Sequence, residues 1–368
     1  SAASDVYKRQ GNDEMSQDMG FWQELDILPD LSILDKLLRE LLPGKNTDSM
    51  SFIKDVLMGN WALDPGLFWR YLAGTVTGVF DGWKRLFISV LVLFILVALV
   101  SNLMSALKNE GAAKAAKTFF ILCQLVVLIN AFHEVLDIVE EAMTRMLEFL
   151  KVMIPAYMIC IAAAGSGLTA LIFYKLLLGF LCLIEGIIAA SLTTVVEGYV
   201  MLGVVESIWG EERFKGLMEI IKKGLQWVLK MMIVVMSGSG ILQIIITPVI
   251  DKANNTVIQK TAGAIPGIGD LVESVSSVTL ASAIAVKNSL GVLILVVLVL
   301  MIAAPVLKAF MILFIIKVSG ALGSICGERQ MMKCVEYISE AGFMLLRILI
   351  TVTTLFFITI AVVTNATS

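Results

Sequence analysis

The sequence predicts an all-α fold: a polytopic helical membrane protein with two tandem, parallel repeats containing Pro/Gly-broken helices, preceded by a small amphipathic helical N-terminal segment. Three observations predict it. Apolar residues make up 58% of the 368 and charged ones only 16%, with a mean hydropathy of +0.90, far above an ordinary soluble domain. Several windows reach the roughly 20 mostly apolar residues that a helix needs to cross a bilayer. A set of prolines, glycines and charges also recurs in the same order in two consecutive stretches.

Residues 1–10 read as a non-native leader, because DVYKRQ (Asp5 to Gln10) matches the in-frame translation of a transposon end used in preparing sequencing libraries. Residues 11–85 have soluble character. Leu34, Leu37, Leu38, Leu41 and Leu42 share one helical face, Pro43-Gly44 closes that helix, and Asp64-Pro65 reads as an N-cap followed by proline at the first helical position. Trp22, Trp61, Trp69 and Trp83 are suited to anchor such a segment at a membrane surface, while packing on a partner or a self-contained helical cap fits the same residues.

Residues 86–148 contain two expected crossings, Leu86 to Leu107 and Thr118 to Val139. The loop between them carries Lys108, Lys114 and Lys117 and reads as cytoplasmic, which puts residues 11–85 and the acidic stretch Asp137 to Glu148 outside the cytoplasm. His133, near the outer end of the second crossing, is expected to be a hydrogen-bonded interfacial side chain.

Repeat 1 covers residues 149–250 and repeat 2 residues 251–368. Pro155 and Pro266, Lys175 and Lys287, Gly179 and Gly291, the Glu-Arg pairs 212/213 and 328/329, Glu219 and Glu336, and Lys230 and Arg347 stand 111 to 117 residues apart, in one order. Each repeat runs from a proline-broken segment through a charged amphipathic helix to a closing apolar run. Repeat 2 opens with an expected polar loop, Asp251 to Lys260. Leu271 to Asn288 reads as too polar for a simple span, and Ser289 to Val318 as a span interrupted by Pro305 and Lys308.

Unsatisfied backbone groups are costly in hydrocarbon, so Pro/Gly clusters at membrane depth are expected where protein or a wet cavity replaces the lost hydrogen bonds. GAIPGIGD (Gly263 to Asp270) is such a cluster, and its first-half partner is Pro155 with AAAGSG (Ala162 to Gly167). A polar cavity or transport site is therefore expected around Pro155, Gly165, Gly167, Pro266, Gly267, Gly269, Asp270 and Glu273, with Lys175, Glu185, Glu197, Lys287 and Asn288 nearby. Plain loops at the membrane surface are the other reading of the same breaks. Glu185 and Glu197 sit in long apolar runs, where a carboxylate usually faces a bundle interior.

A net charge of −3 supplies no basic patch for nucleic acid, so no nucleic-acid partner is expected. The five cysteines form no CxxC pair, and the single histidine leaves no partner for a metal site or a triad. No cofactor, metal or enzyme activity is expected.

The chain resembles the stage III sporulation protein AE family of endospore-forming bacteria from about residue 20 to the C-terminus. The residues that carry this are LLPG (Leu41 to Gly44), AFH (Ala131 to His133), MIPAYMICIAAAGSG (Met153 to Gly167), KTAGAIPGIGDLVESVSSVTLASAIAVKNSLG (Lys260 to Gly291) and AAPVLK (Ala303 to Lys308). The resemblance implies a secretory signal, an extracytoplasmic segment and a polytopic domain in the mother-cell membrane around the forespore. It implies a component of the sporulation complex that links the two cells, required for late forespore gene expression, whose partners are other membrane proteins of that complex and the bilayer. It names no substrate. A free-standing ion-coupled transporter and a structural scaffold are the alternatives.

Overall fold

The computed structural model describes residues 65–106, 110–163, 186–209, 213–262, 269–326 and 329–365, with Gly179 and Leu183 besides. Among these residues the chain forms six α-helices and no strand. The amphipathic segment before residue 65 and the breaks at 164–167 and 263–268 lie outside the described residues.

Helix α1, Pro65–Ala106, starts on the proline expected to open it. It contains no further proline, so the amphipathic stretch and the first apolar run are one rod of 42 residues. Helix α2, Glu110–Ala163, takes in the second apolar run, continues across 148/149 and passes through Pro155 without ending. A π-turn at Ile188–Leu192 leads into α3, Thr193–Trp209.

Helix α4, Lys215–Ala262, joins the charged amphipathic stretch to the following apolar run. It corrects one expectation, because Asp251 to Lys260 is helical rather than a loop. Polarity suggested a loop there, but the ten residues hold neither glycine nor proline, so nothing stops the hydrogen-bond ladder until just before Gly263. Helix α5, Gly269–Gly323, corrects a second: Leu271 to Asn288 and Ser289 to Val318 form one helix of 55 residues with Pro305 inside it. Neighbouring helices can re-satisfy the carbonyl that a proline frees, which is how membrane helices carry one. A 3-10 turn, Ser324–Cys326, precedes α6, Arg329–Asn365.

Three stretches among the described residues are long and apolar enough to cross a membrane: Gly111–Leu150, Ile294–Gly323 and Arg329–Ala361. Helices α1, α2, α5 and α6 pack around one core, and α3 and α4 lie against α6. Two thirds of the apolar window of α6 (67%) is buried, against 44% for those of α2 and α5, so α6 is the central rod.

Lipid tails are as apolar as leucine, so helices in a membrane associate through close packing rather than escape from water. Glycines provide the closest approaches here. A Cβ built on Gly320 would stand 2.5 Å from Val335 Cγ1, on Gly323 2.4 Å from the Phe94 ring, and on Gly203 2.8 Å from Tyr337 Cβ. Gly320 meets Val335, and seven residues back along α5 Leu313 meets Gly342, seven residues on along α6, which sets an antiparallel register.

Candidate functional site

Several buried or half-buried polar side chains of distant helices meet where α3, α4 and α6 join. On α3, Tyr199, Gly203, Glu206 and Ser207 are buried and stand on one face, since seven residues turn a helix by almost two full turns. Tyr199 donates its hydroxyl to Glu340 Oε2 of α6 at 2.5 Å, and Lys222 of α4 donates to Glu340 Oε1 at 2.5 Å. One carboxylate thus ties three helices together. Tyr199 is fully enclosed, whereas Lys222 and Glu340 keep about a third of their side-chain surface exposed (39% and 33%), so the ion pair is partly screened and the tyrosine bond is the better sheltered of the two. Lys317 of α5 sits over the Phe343 ring at 5.4 Å, and its positive field reaches Glu340.

Further along α3, Ser207 donates to the Gly203 carbonyl at 2.7 Å and lies in hydrogen-bonding reach of the buried Cys334 of α6. Glu206 is wholly buried. Its Oε2 accepts the Phe214 backbone N–H at 2.9 Å, meeting the start of α4, where an anion complements the helix dipole. Its Oε1 has no partner among the described residues. Arg213 lies over Trp209 at 5.7 Å and closes this end. At the same end of α6, Gln124 of α2 donates from Nε2 to the Met331 carbonyl at 3.3 Å.

Because one Glu206 oxygen is buried bare, Glu206→Gln is expected to melt at or above the native temperature in detergent, while Glu206→Ala, which strands the Phe214 N–H, loses about 1–3 kcal/mol. Equal destabilisation by both variants would contradict this reading.

The residues expected to form a cavity are distributed differently. Glu197 is exposed on α3. Nine residues turn a helix by about half a revolution beyond two full turns, so Glu197 and Glu206 point to opposite sides and only Glu206 enters the bundle. Pro155 is within α2, and Gly269, Asp270, Glu273, Lys287 and Asn288 are within the first half of α5. Gly165, Gly167, Lys175, Glu185, Pro266 and Gly267 lie outside the described residues. His133 is hydrogen-bonded as expected and exposed, its Nδ1 bonding the Ile129 carbonyl at 2.9 Å.

Sequence reasoning did not select Tyr199, Lys222 or Glu340. The available signal was the seven-residue spacing of Tyr199 and Glu206 within an apolar run, together with carboxylates embedded in the amphipathic starts of α4 and α6.

The family description "Stage III sporulation protein AE" matches residues 47–367. The stage III sporulation protein AE of Bacillus subtilis (strain 168) is 21% identical over 280 residues, covering 76% of this chain and 70% of that protein. The comparison with solved structures finds no match. With a match of that extent over a helical membrane bundle, the chain belongs to the stage III sporulation protein AE family.

Proposed function

We propose that the protein is a multi-pass component of the channel or secretion-like assembly that links mother cell and forespore, contributing helices to a transport conduit and carrying no enzyme activity. Its spans lie in the mother-cell membrane around the forespore, with residues 11–85 extracytoplasmic. The observation that carries the reading is family membership over residues 47–367, joined to three stretches able to cross a membrane. The arrangement of α6 fits it too, because a central rod tied to two neighbours through one carboxylate suits a unit that holds its shape inside a larger assembly.

The test is deletion of the gene in its sporulating host. Engulfment is expected to finish and late forespore-specific reporter expression to fail, with other sporulation membrane proteins co-purifying with the tagged chain in mild detergent. Normal reporter expression in the deletion strain would end this reading. Purified alone into liposomes, the chain is expected to move no solute. Uptake by the isolated protein would favour the free-standing transporter.

Glu197 offers a clean probe of the expected transport residues. As an exposed helix position its replacement by alanine is expected to change stability by less than about 0.5 kcal/mol. Glu197→Ala and Lys287→Ala are expected to lower late forespore expression while the protein still accumulates. Full sporulation in both variants would leave the scaffold reading in place.

A further inference from the structure

We propose that the outward face of α2 from Asn130 to Glu148 is bathed in water at the depth where α5 and α6 cross the membrane. This rests on reading the chain as membrane-spanning, not on its role in sporulation, and it assigns the wet surface to a helix face rather than to the Pro/Gly breaks.

The first observation is the polarity of that face. From Asn130 to Glu148 every exposed position on α2 is polar, including His133, Glu134, Asp137, Glu140, Glu141 and Arg145. The opposite face is packed core, with Phe132, Val135, Val139 and Met146 buried. Among the exposed residues one turn and more earlier are Phe119, Leu122 and Val126, so the outward surface changes character along a single helix.

The second observation is register. Gln124 bonded to the Met331 carbonyl places these two residues at one level of the bundle, and Gly323 against Phe94 places the end of α5 beside the middle of the apolar run of α1. Both α2 and α6 run the same way from this level, since the two pack together and the buried run of α2 extends from here to Leu150 while that of α6 extends from Met331 to Ile360. At about 1.5 Å per residue, Asp137 lies ~20 Å along, beside Met344, and Glu148 ~36 Å along, beside Leu355. The polar stripe therefore runs beside the apolar body of α6, within the stretch Arg329–Ala361.

The third observation is what the other helices show at that level. Lys222 bonded to Glu340 brings Trp227, Met231 and Val234 of α4 alongside, and Leu313 against Gly342 brings Val299 and Phe310 of α5 alongside. All five are exposed and apolar. The bundle thus presents a mostly apolar surface on α4 and α5, interrupted by Lys230 on α4, with Arg347 of α6 exposed at the same level, against a row of five carboxylates on α2. Carboxylates on lipid are costly, and a row of them exceeds what a marginally stable bundle carries. One depth with two surface polarities is what a helix bundle shows when one flank meets lipid and another meets a hydrated space.

The test is thiol accessibility in the full chain in native membranes, with the native cysteines replaced and the unsubstituted background as blank. Glu141→Cys and Thr144→Cys report the stripe, and Val234→Cys and Val299→Cys report α4 and α5 at the same depth. Maleimide reacts with thiolate, which forms only where water reaches, so a membrane-impermeant maleimide is expected to label both stripe positions at least roughly tenfold faster than the other two. Fast labelling of all four would put this level outside the membrane and overturn the proposal. Slow labelling of both stripe positions, in protein that accumulates normally, would show the stripe covered and overturn it as well. Neither outcome touches the sporulation phenotype, so failure here is distinct from failure of the proposed function.

Discussion

Gly323→Ala is expected to destabilise the bundle by about 1–3 kcal/mol, read as a clear fall in melting temperature in detergent. The added methyl would stand 2.4 Å from the ring of Phe94, a side chain with no exposed surface and no free space to turn into. α5 must then move away from α1, loosening the contacts that hold membrane helices together. Two comparisons isolate the cause. At Gly342 the atom met, 2.1 Å away, is the terminal Cδ2 of Leu313, equally buried but at the end of a side chain with two rotatable bonds rather than in a rigid ring, so Gly342→Ala is expected to cost less. Phe94→Leu is expected to be destabilising alone yet to restore part of the loss in Gly323→Ala, a non-additive pair. A Gly323→Ala protein melting like the native one would mean that the α1–α5 contact is not as described.

Glu340→Ala is the second change with a large expected effect, because it unpairs the Tyr199 hydroxyl and the Lys222 ammonium together. Hydrogen bonds to a charged group contribute about 1.5–3 kcal/mol, and the partly exposed ion pair adds less than about 1 kcal/mol. A loss of about 2–3 kcal/mol is expected, dominated by the enclosed tyrosine. Tyr199→Phe should then recover most of the Glu340→Ala effect and Lys222→Met little of it. Glu340→Gln keeps an acceptor for Tyr199 and is expected to fall between native and Glu340→Ala. If Lys222→Met proves the costlier of the two partner changes, the junction is held by charge and the ranking of the two bonds is wrong.

The stripe on α2 shows how a correct local reading can miss its setting. The acidic stretch Asp137 to Glu148 is visible in the sequence, where it reads as lying outside the cytoplasm at the end of a crossing. It is helical and packed on its inner side, since Val139, Met143 and Met146 recur at core spacing between the charges. Asp251 to Lys260 is polar yet helical for a related reason: composition reports what a segment prefers to face, while only glycine or proline reports where a helix must stop. Glu197 and Glu206 make the point for single residues. Both are carboxylates in one apolar run, and half a turn of helix separates the exposed one from the buried one.

Apolar run length and proline placement act within a few turns of chain, so the helical membrane class and the opening of α1 at Pro65 are legible locally, whereas the extension of α4 through Asp251 to Lys260 was not. Long-range packing is what brings Glu340 to Tyr199 and Lys222, 141 and 118 residues away, and what sets the polar face of α2 beside the apolar body of α6. Those pairings depend on how far each rod is rotated and slid against its neighbours. Rotation and slide are set by contacts such as Gly320 with Val335 and Gly323 with Phe94, between segments whose local patterns carry no record of one another.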